Sequence, residues 1–303
     1  MDNNIVVIGS SNTDMVVRSE KLPAPGETVL GGKFLMNPGG KGANQAVAAA
    51  KLGGPVALVA KVGDDLFGRK AKEGFAEYGI DTSCMLVDEE TPSGVALIMV
   101  DADGENSIAV APGANSRLSP DDIDEVGGIL NGAEYLLMQL EIPLETVAHA
   151  ARLAVEKGVK VILNPAPAPA RELSGELLRS LYLITPNQSE CRLLTGIEVS
   201  DDASAEQAAR ALQREGVDSV IVTLGSDGAF VLAEETARRV PAPTVEAKDT
   251  TAAGDTFNGA LAVALSEGKE LVEAVRFANR AAAWSVTRMG AQSSAPVRTD
   301  LDL

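Results

Sequence analysis

Histidine is almost missing from this chain: His149 is the only one in 303 residues. It falls within "LETVAHAARLAVEKG", a helical stretch where a histidine reads as a structural or surface residue. Histidine-based triads and His-rich zinc sites therefore lose their support, and acid–base chemistry falls to Asp or Glu. Cysteine is nearly as scarce. Cys84 and Cys191 have no CxxC spacing, so they read as buried free thiols. No run of about 18 apolar residues exists to cross a membrane, and Met1-Asp2-Asn3-Asn4 does not start like a secretory signal. A soluble, cytoplasmic protein without a membrane partner is expected. Positive charge is also in deficit, with 26 Lys and Arg against 43 Asp and Glu, a net charge of −17. That balance opposes nucleic-acid binding. An anionic ligand would need positive potential supplied locally, by metal ions, helix N-termini or a few basic side chains.

Two nucleotide-binding signatures are lacking as well. Nothing fits GxxxxGK[ST], since Lys41 is followed by Gly42 and position 35 is Leu; "GSSNTD" stands where a GxGxxG would follow the first strand. A P-loop NTPase or a Rossmann dehydrogenase is poorly supported.

What is present is a large apolar fraction, 45%, enough for a sizeable core. Short apolar runs ("IVVIG" at 5–9, "VALVAKVG" at 56–63, "EYLLMQ" at 134–139, "VKVILN" at 159–164, "LYLIT" at 181–185, "DSVIVTLG" at 218–225) alternate with helical stretches at 43–53, 66–78, 144–157 and near 204–215. This alternation predicts an α/β fold, a doubly wound and mostly parallel sheet with helices on both faces. Ligands bind such sheets outside the carboxyl ends of the strands. Residues 14–20 and 28–35 read as strands around "LPAPGE", and 94–113 as a hairpin turning near Asp103-Gly104. With no helices between them, these strands predict a small β-sheet lid, drawn from about 14–35 and 94–111, on one domain spanning 1–303.

Several segments suit chemistry. In "NPGGKGANQAVAAAKLGG" glycines surround Lys41 and a helix follows; Asn44 offers a donor and an acceptor to hydroxyls, although a tight turn into a helix explains the segment equally well. "GSSNTD" places Asn12 and Asp14 beyond the first strand, where a plain turn is the alternative. In "TTAAGDTFNGAL" small residues precede a helix, so its N–H groups and dipole can face an oxyanion with Asp255 alongside as a proton acceptor. An Asp that merely stabilises a helix start is the other reading. "TPNQSE" sets Asn187 and Glu190 after a strand, within reach of a phosphate or its metal, or simply at a helix start. "TLGSDG" offers a glycine-rich turn that a nucleotide can approach, or an ordinary turn.

Taken in order, "GGKGANQAVAAA" at 39–50, "NQSE", "VTLGSDGA", "DTTAAGDTFNGAL" at 249–261 and "FANRAAAWSVTRMGAQSS" at 277–294 resemble the PfkB carbohydrate kinase family, in its ribokinase group, over nearly the whole chain. The resemblance implies ATP-dependent phosphorylation of the 5-hydroxyl of D-ribose. It implies a sugar site of Asn12, Asp14, Gly40, Lys41, Gly42, Asn44 and Glu141, with Asp255 as general base and the backbone of Ala252, Ala253, Gly254 and Asp255 as anion hole. It implies ATP contacts from Asn187, Thr223, Gly225, Ser226, Gly228, Gly254 and Asn279, and Glu190 acting on Mg²⁺ through water. K⁺ as monovalent activator would be held by Asp249, Thr251, Ser285, Arg288, Gly290 and Ser294, mostly through backbone carbonyls. The family's commonest second signature has Gly where Ala252 stands. Alanine presents the same N–H if its φ is negative. Another sugar or nucleoside (2-deoxyribose, a ketohexose) and a non-catalytic sugar-binding protein are the competing readings. A homodimer formed through the lid is the expected assembly.

Overall fold

The computed structural model describes residues 4–168, 172–234 and 236–301. Its strands are β1 (Ile5–Ile8), β2 (Asn12–Arg18), β3 (Lys33–Gly39), β4 (Val56–Val59), β5 (Lys61–Gly63), β6 (Leu86–Asp88), β7 (Gly94–Val100), β8 (Asn106–Ala111), β9 (Tyr135–Met138), β10 (Lys160–Leu163), β11 (Leu183–Ile184), β12 (Ser219–Thr223), β13 (Ala229–Ala233) and β14 (Thr236–Val240). Its α-helices are α1 (Lys41–Lys51), α2 (Leu66–Glu77), α3 (Pro120–Val126), α4 (Leu144–Glu156), α5 (Gly175–Arg179), α6 (Gln188–Thr195), α7 (Asp202–Arg214), α8 (Ala253–Ser266) and α9 (Leu271–Ser285).

Eight strands form the main sheet in the order β14-β13-β12-β11-β10-β9-β1-β4. From β12 to β4 every pair is parallel, whereas β13 and β14 join antiparallel at one edge. Alternate residues of each central strand serve opposite faces. Val7, Leu137, Ile162 and Ile221 pack with α1, α8 and α9, while Ile8, Met138, Leu163 and Val222 pack with α4, α5 and α7. Burial on both sides is why these strands read as unbroken apolar runs. β1 lies between β4 and β9, so the chain's crossovers leave in opposite directions there, the kind of switch point at which a crevice opens.

The lid is a separate four-stranded sheet, β3-β2-β7-β8, with β2 and β7 parallel at its centre. The β7–β8 hairpin turns where the sequence places it: Asp101 Oδ1 accepts from the Asp103 and Glu105 amides, and Gly104 adopts φ 85.

Several boundaries differ from the sequence reading. The strand expected at 28–35 begins at Lys33, because Gly31 and Gly32 adopt φ 100 and 104, which no strand accommodates. It then runs through Pro38, tolerated because β3 is an edge strand that need not donate there. The run at 56–63 splits into β4 and β5, and β5 leaves the main sheet to pair with β6. The β13–β14 hairpin gave no signal that the sequence reading picked up.

Candidate active site

The carboxyl ends of β1, β9, β10, β11 and β12 converge on the N-termini of α1 and α8. Entry into α1 depends on Gly40, whose φ is 89 and whose missing Cβ would lie 2.8 Å from the Asn12 amide nitrogen. Any larger residue would drive α1 off the loop after β1. Glu141, from the loop after β9, closes this corner. Its Oε2 accepts from the Lys41 amide at 2.9 Å and from the Ser10 hydroxyl at 2.5 Å, so the carboxylate sits on the positive end of α1. Asn12 is held from behind by Asn115, whose Nδ2 donates to Asn12 Oδ1 at 2.7 Å.

Asp255, in the first turn of α8, is 6% exposed. Its Oδ2 accepts from Asn44 Nδ2 at 3.0 Å and its Oδ1 from Gln45 Nε2 at 3.0 Å. Burial raises the Asp255 pKa, opposed by the Lys41 charge and these two amides, and reinforced by Glu141. Asp14 is pushed up to about 6 by burial and by Glu141 and Asp255, against the pull of Lys41. Burial works against the charge on Lys41, but Asp255, Glu141, Glu190 and Asp14 together carry its pKa above the ordinary value. One ammonium thus serves a ring of carboxylates. The predicted sugar residues Asn12, Asp14, Gly40, Lys41, Gly42, Asn44, Glu141 and Asp255 are brought to this one corner.

On the other side of the α8 N-terminus lies a cleft of about 510 Å³. Its walls include Asn187, Thr223, Gly225, Ser226, Gly228, Gly254 and Asn279, all seven of the expected nucleotide residues. Pro243, Val245, Phe257, Ala282 and Val286 supply an apolar side that the sequence reading missed. Two of the seven are also structural: Asn279 Nδ2 donates to the Val240 carbonyl at 2.9 Å, and the Asn187 side chain accepts from the Glu190 amide in a capping box completed by Glu190 Oε2 and the Asn187 amide. Glu190 is buried, which raises its pKa despite that amide bond and Lys41, with Asp255 adding to the rise.

The α8 N-terminus has no side-chain cap. Ala253 donates to the Thr250 carbonyl at 3.2 Å, so its amide is already engaged, whereas the amides of Ala252, Gly254 and Asp255 meet no protein acceptor among the described residues. The negative φ on which the sequence reading rested Ala252 is not found. Ala252 lies at φ 58, ψ 19, the left-handed region that glycine enters freely and alanine enters at a cost of about 1–2 kcal/mol.

Of the expected K⁺ residues, Asp249 joins two segments: Oδ2 accepts from the Gly290 amide at 2.9 Å and Oδ1 from the Thr251 amide at 3.0 Å. The Lys248 and Asp249 amides both donate to the Val286 carbonyl. These bonds bring 248–251 against 286–290. Arg288 instead stacks its guanidinium 3.7 Å over Trp284, and the Ser285 and Ser294 hydroxyls donate to carbonyls of their own turns. Among the described residues no three His, Cys, Asp or Glu side chains gather as a metal cluster; a monovalent ion held by backbone carbonyls does not need one. The residues present, oxygen donors in closely tied turns, fit such an ion.

Sequence reasoning also missed Gln45, Gln139, Asn164 and Asn115. Only Gln45 carried a usable signal, its place beside Asn44 in the glycine-rich segment. Also among the described residues, no helix is long and apolar enough to cross a membrane.

A family model, "pfkB family carbohydrate kinase", matches residues 2–298. A ribokinase of Haemophilus influenzae is 46% identical over 99% of this chain and 97% of its own. A deoxyribokinase of Salmonella typhi is 41% identical over 97% and 95%. The structure of Arabidopsis thaliana ribokinase complexed with ribose and ATP superposes with a TM-score of 0.92 at 35% identity, covering 99% of this chain and 98% of that one. The chain belongs to the pfkB family of carbohydrate kinases, as an ATP-dependent enzyme of the ribokinase type.

Proposed function

We propose that the chain transfers the γ-phosphoryl group of ATP to O5 of D-ribose, giving D-ribose 5-phosphate and ADP, with Asp255 as general base. One observation carries this reading: Asp255 sits between the polar corner at α1 and the cleft lined by Gly254, at a helix N-terminus whose amides are uncapped. Asn12, Asp14, Lys41, Asn44 and Glu141 hold the sugar hydroxyls. The O5 proton passes to the Asp255 carboxylate as the bond from O5 to phosphorus forms and the bond from phosphorus to the bridging oxygen breaks. The amides of Ala252, Gly254 and Asp255 offset charge on the transferred group. Mg²⁺ bound with ATP, with Glu190 reaching it through water, would supply the further positive charge that so acidic a site needs. K⁺ held along 249–251 and 285–294 would fix the shape of the α8 entry. The lid, carrying Asn12 and Asp14 on its inner face, excludes water that would compete for the phosphoryl group.

The Salmonella typhi relative favours one second reading, 2-deoxyribose as the sugar. Asn12 argues for ribose, because a buried amide left without a hydroxyl partner costs about 1–3 kcal/mol.

Release of ADP, followed for the wild type and Asp255→Asn with ribose, 2-deoxyribose, fructose and adenosine in K⁺ and in Na⁺, tests the assignment. Ribose is expected to give the highest kcat/KM. Asp255→Asn is expected to lose about 10²- to 10⁴-fold in kcat while folding normally. Near-normal turnover by Asp255→Asn would remove the base from the account, and a higher kcat/KM with 2-deoxyribose would replace the substrate.

A further inference from the structure

We infer that Gln45 is a positioning residue that aims the Asp255 carboxylate at the reacting hydroxyl and keeps it charged, a role that rests on the reading of Asp255 given above. Gln45 is fully buried on α1, one residue beyond Asn44. Its Nε2 donates to Asp255 Oδ1 at 3.0 Å and to Asn164 Oδ1 at 3.1 Å. With Asn44 on the other oxygen, each carboxylate oxygen has its own amide donor and the plane of the carboxylate is fixed.

The bonding beyond Gln45 shows which way its amide must face. An ionised carboxylate can only accept, so Gln45 turns its nitrogen to Asp255 and its oxygen away. That oxygen accepts from Gln139 Nε2 at 2.6 Å. Gln139, fully buried, then has its own Oε1 pointing at Gly9, with no hydrogen-bond partner among the described residues. The direction of both amides thus follows from the demand Asp255 places on Gln45.

The charged groups facing Asp255 do not supply this support alone. Lys41 from α1 favours its ionised form, but Glu141 after β9, Asp14 on β2 and Glu190 on α6 oppose it. With one cation among three carboxylates, the Gln45 and Asn44 amides add to Lys41 in holding the base charged.

Three variants test the role, assayed with ATP and ribose across pH. Gln45→Met removes both donors at similar volume; kcat is expected to fall about 10- to 100-fold, the KM for ATP to stay within about twofold, and the acid limb of kcat/KM to move up by about one pH unit. Gln45→Glu keeps the shape and sets a second carboxyl on Asp255, so the limb moves up by at least as much, and turnover at high pH stays below the wild type because an ionised carboxylate donates nothing to Asp255. Gln139→Leu touches Gln45 but not Asp255, and is expected to lower the melting temperature without moving the limb. A folded Gln45→Met with wild-type kcat and limb overturns the proposal, as does a Gln139→Leu limb that moves as far. If Gln45→Met does not fold, an unmoved limb in Gln45→Glu overturns it equally. Activity retained by Asp255→Asn would remove the base itself, whereas an inactive Asp255→Asn beside normal Gln45 variants would remove only Gln45.

Discussion

Asp14 shows how a buried carboxylate opposes the stability of the fold that holds it. Folded Asp14 grips its proton more tightly than the unfolded chain does, with a pKa about 6 against 3.8. Stability therefore falls as pH rises through that window and levels off above it, a loss of about 3 kcal/mol. Asp14→Asn keeps the shape without the charge. It is expected to melt well above the wild type at pH 7.5 and alongside it below about pH 4, while the KM for ribose rises; equal melting at pH 7.5 would mean that Asp14 is not held against its charge. Ala252 is the second strained residue, a non-glycine at positive φ where the chain turns into α8. At this scale the sequence was informative wherever a residue stands inside a dense local segment. Asn12, Lys41, Asn44 and Asp255 all do, and the structure brings them together. Gln45 was passed over although it stands beside Asn44, because what singles it out is a partner 210 positions away. The sign of the Ala252 φ was misjudged although the family's usual Gly at that position hinted at it, because alanine by itself favours negative φ.

Two helices, α1 and α8, carry most of the site, and their separation decides whether Asn44 and Gln45 reach Asp255. They meet through small residues. A Cβ on Gly259 would lie 2.6 Å from the Gln45 carbonyl oxygen and 2.8 Å from the Ala48 side chain. Backbone stands in the way, so Gly259→Ala must push the helices apart even though alanine is the better helix former by about 1 kcal/mol. Overpacking of this kind costs about 1–3 kcal/mol. The expected outcome is a lower melting temperature and a kcat reduced about tenfold, with the KM for ATP nearly unchanged, because the cleft lies on the far side of α8. An unaltered kcat would show that the α1–α8 distance does not control the base. The alternation of apolar runs was enough to predict α1 and the parallel strands, since periodicity is local, and α8 was read from the small residues before it. It failed at 56–63, where one apolar run serves two sheets, and pairing partners are not written in a single strand.

At the scale of the molecule, the lid has two unlike faces. Strand register puts Phe34, Val17, Met99 and Ser107 in one row, Met36, Met15, Leu97 and Ala109 in the next, and Pro38, Thr13, Val95 and Ala111 in a third. No charged residue occurs on this face, which points away from the one bearing Asn12 and Asp14. Leu97 is 55% exposed and Phe34 60%. A chain with a net charge of −17 stays soluble easily, so an uncharged apolar sheet face calls for a covering partner. We propose a second copy as that partner, because a twofold axis through the face matches it to itself. Leu97→Glu sets a charge at the centre of the middle row and, in a dimer, opposite or beside its own copy. Sedimentation is expected to change from dimer to monomer, and the KM for ribose to rise several-fold because each lid loses the neighbour that braces it, while Asp255 and the cleft are untouched. Raising the salt concentration screens the repulsion between two acidic bodies, over about 8 Å at physiological strength, and should tighten such a dimer of the wild type without rescuing Leu97→Glu, whose defect is a desolvated charge rather than a distant one. A wild type that sediments as a monomer at every salt concentration would leave the face to a different partner.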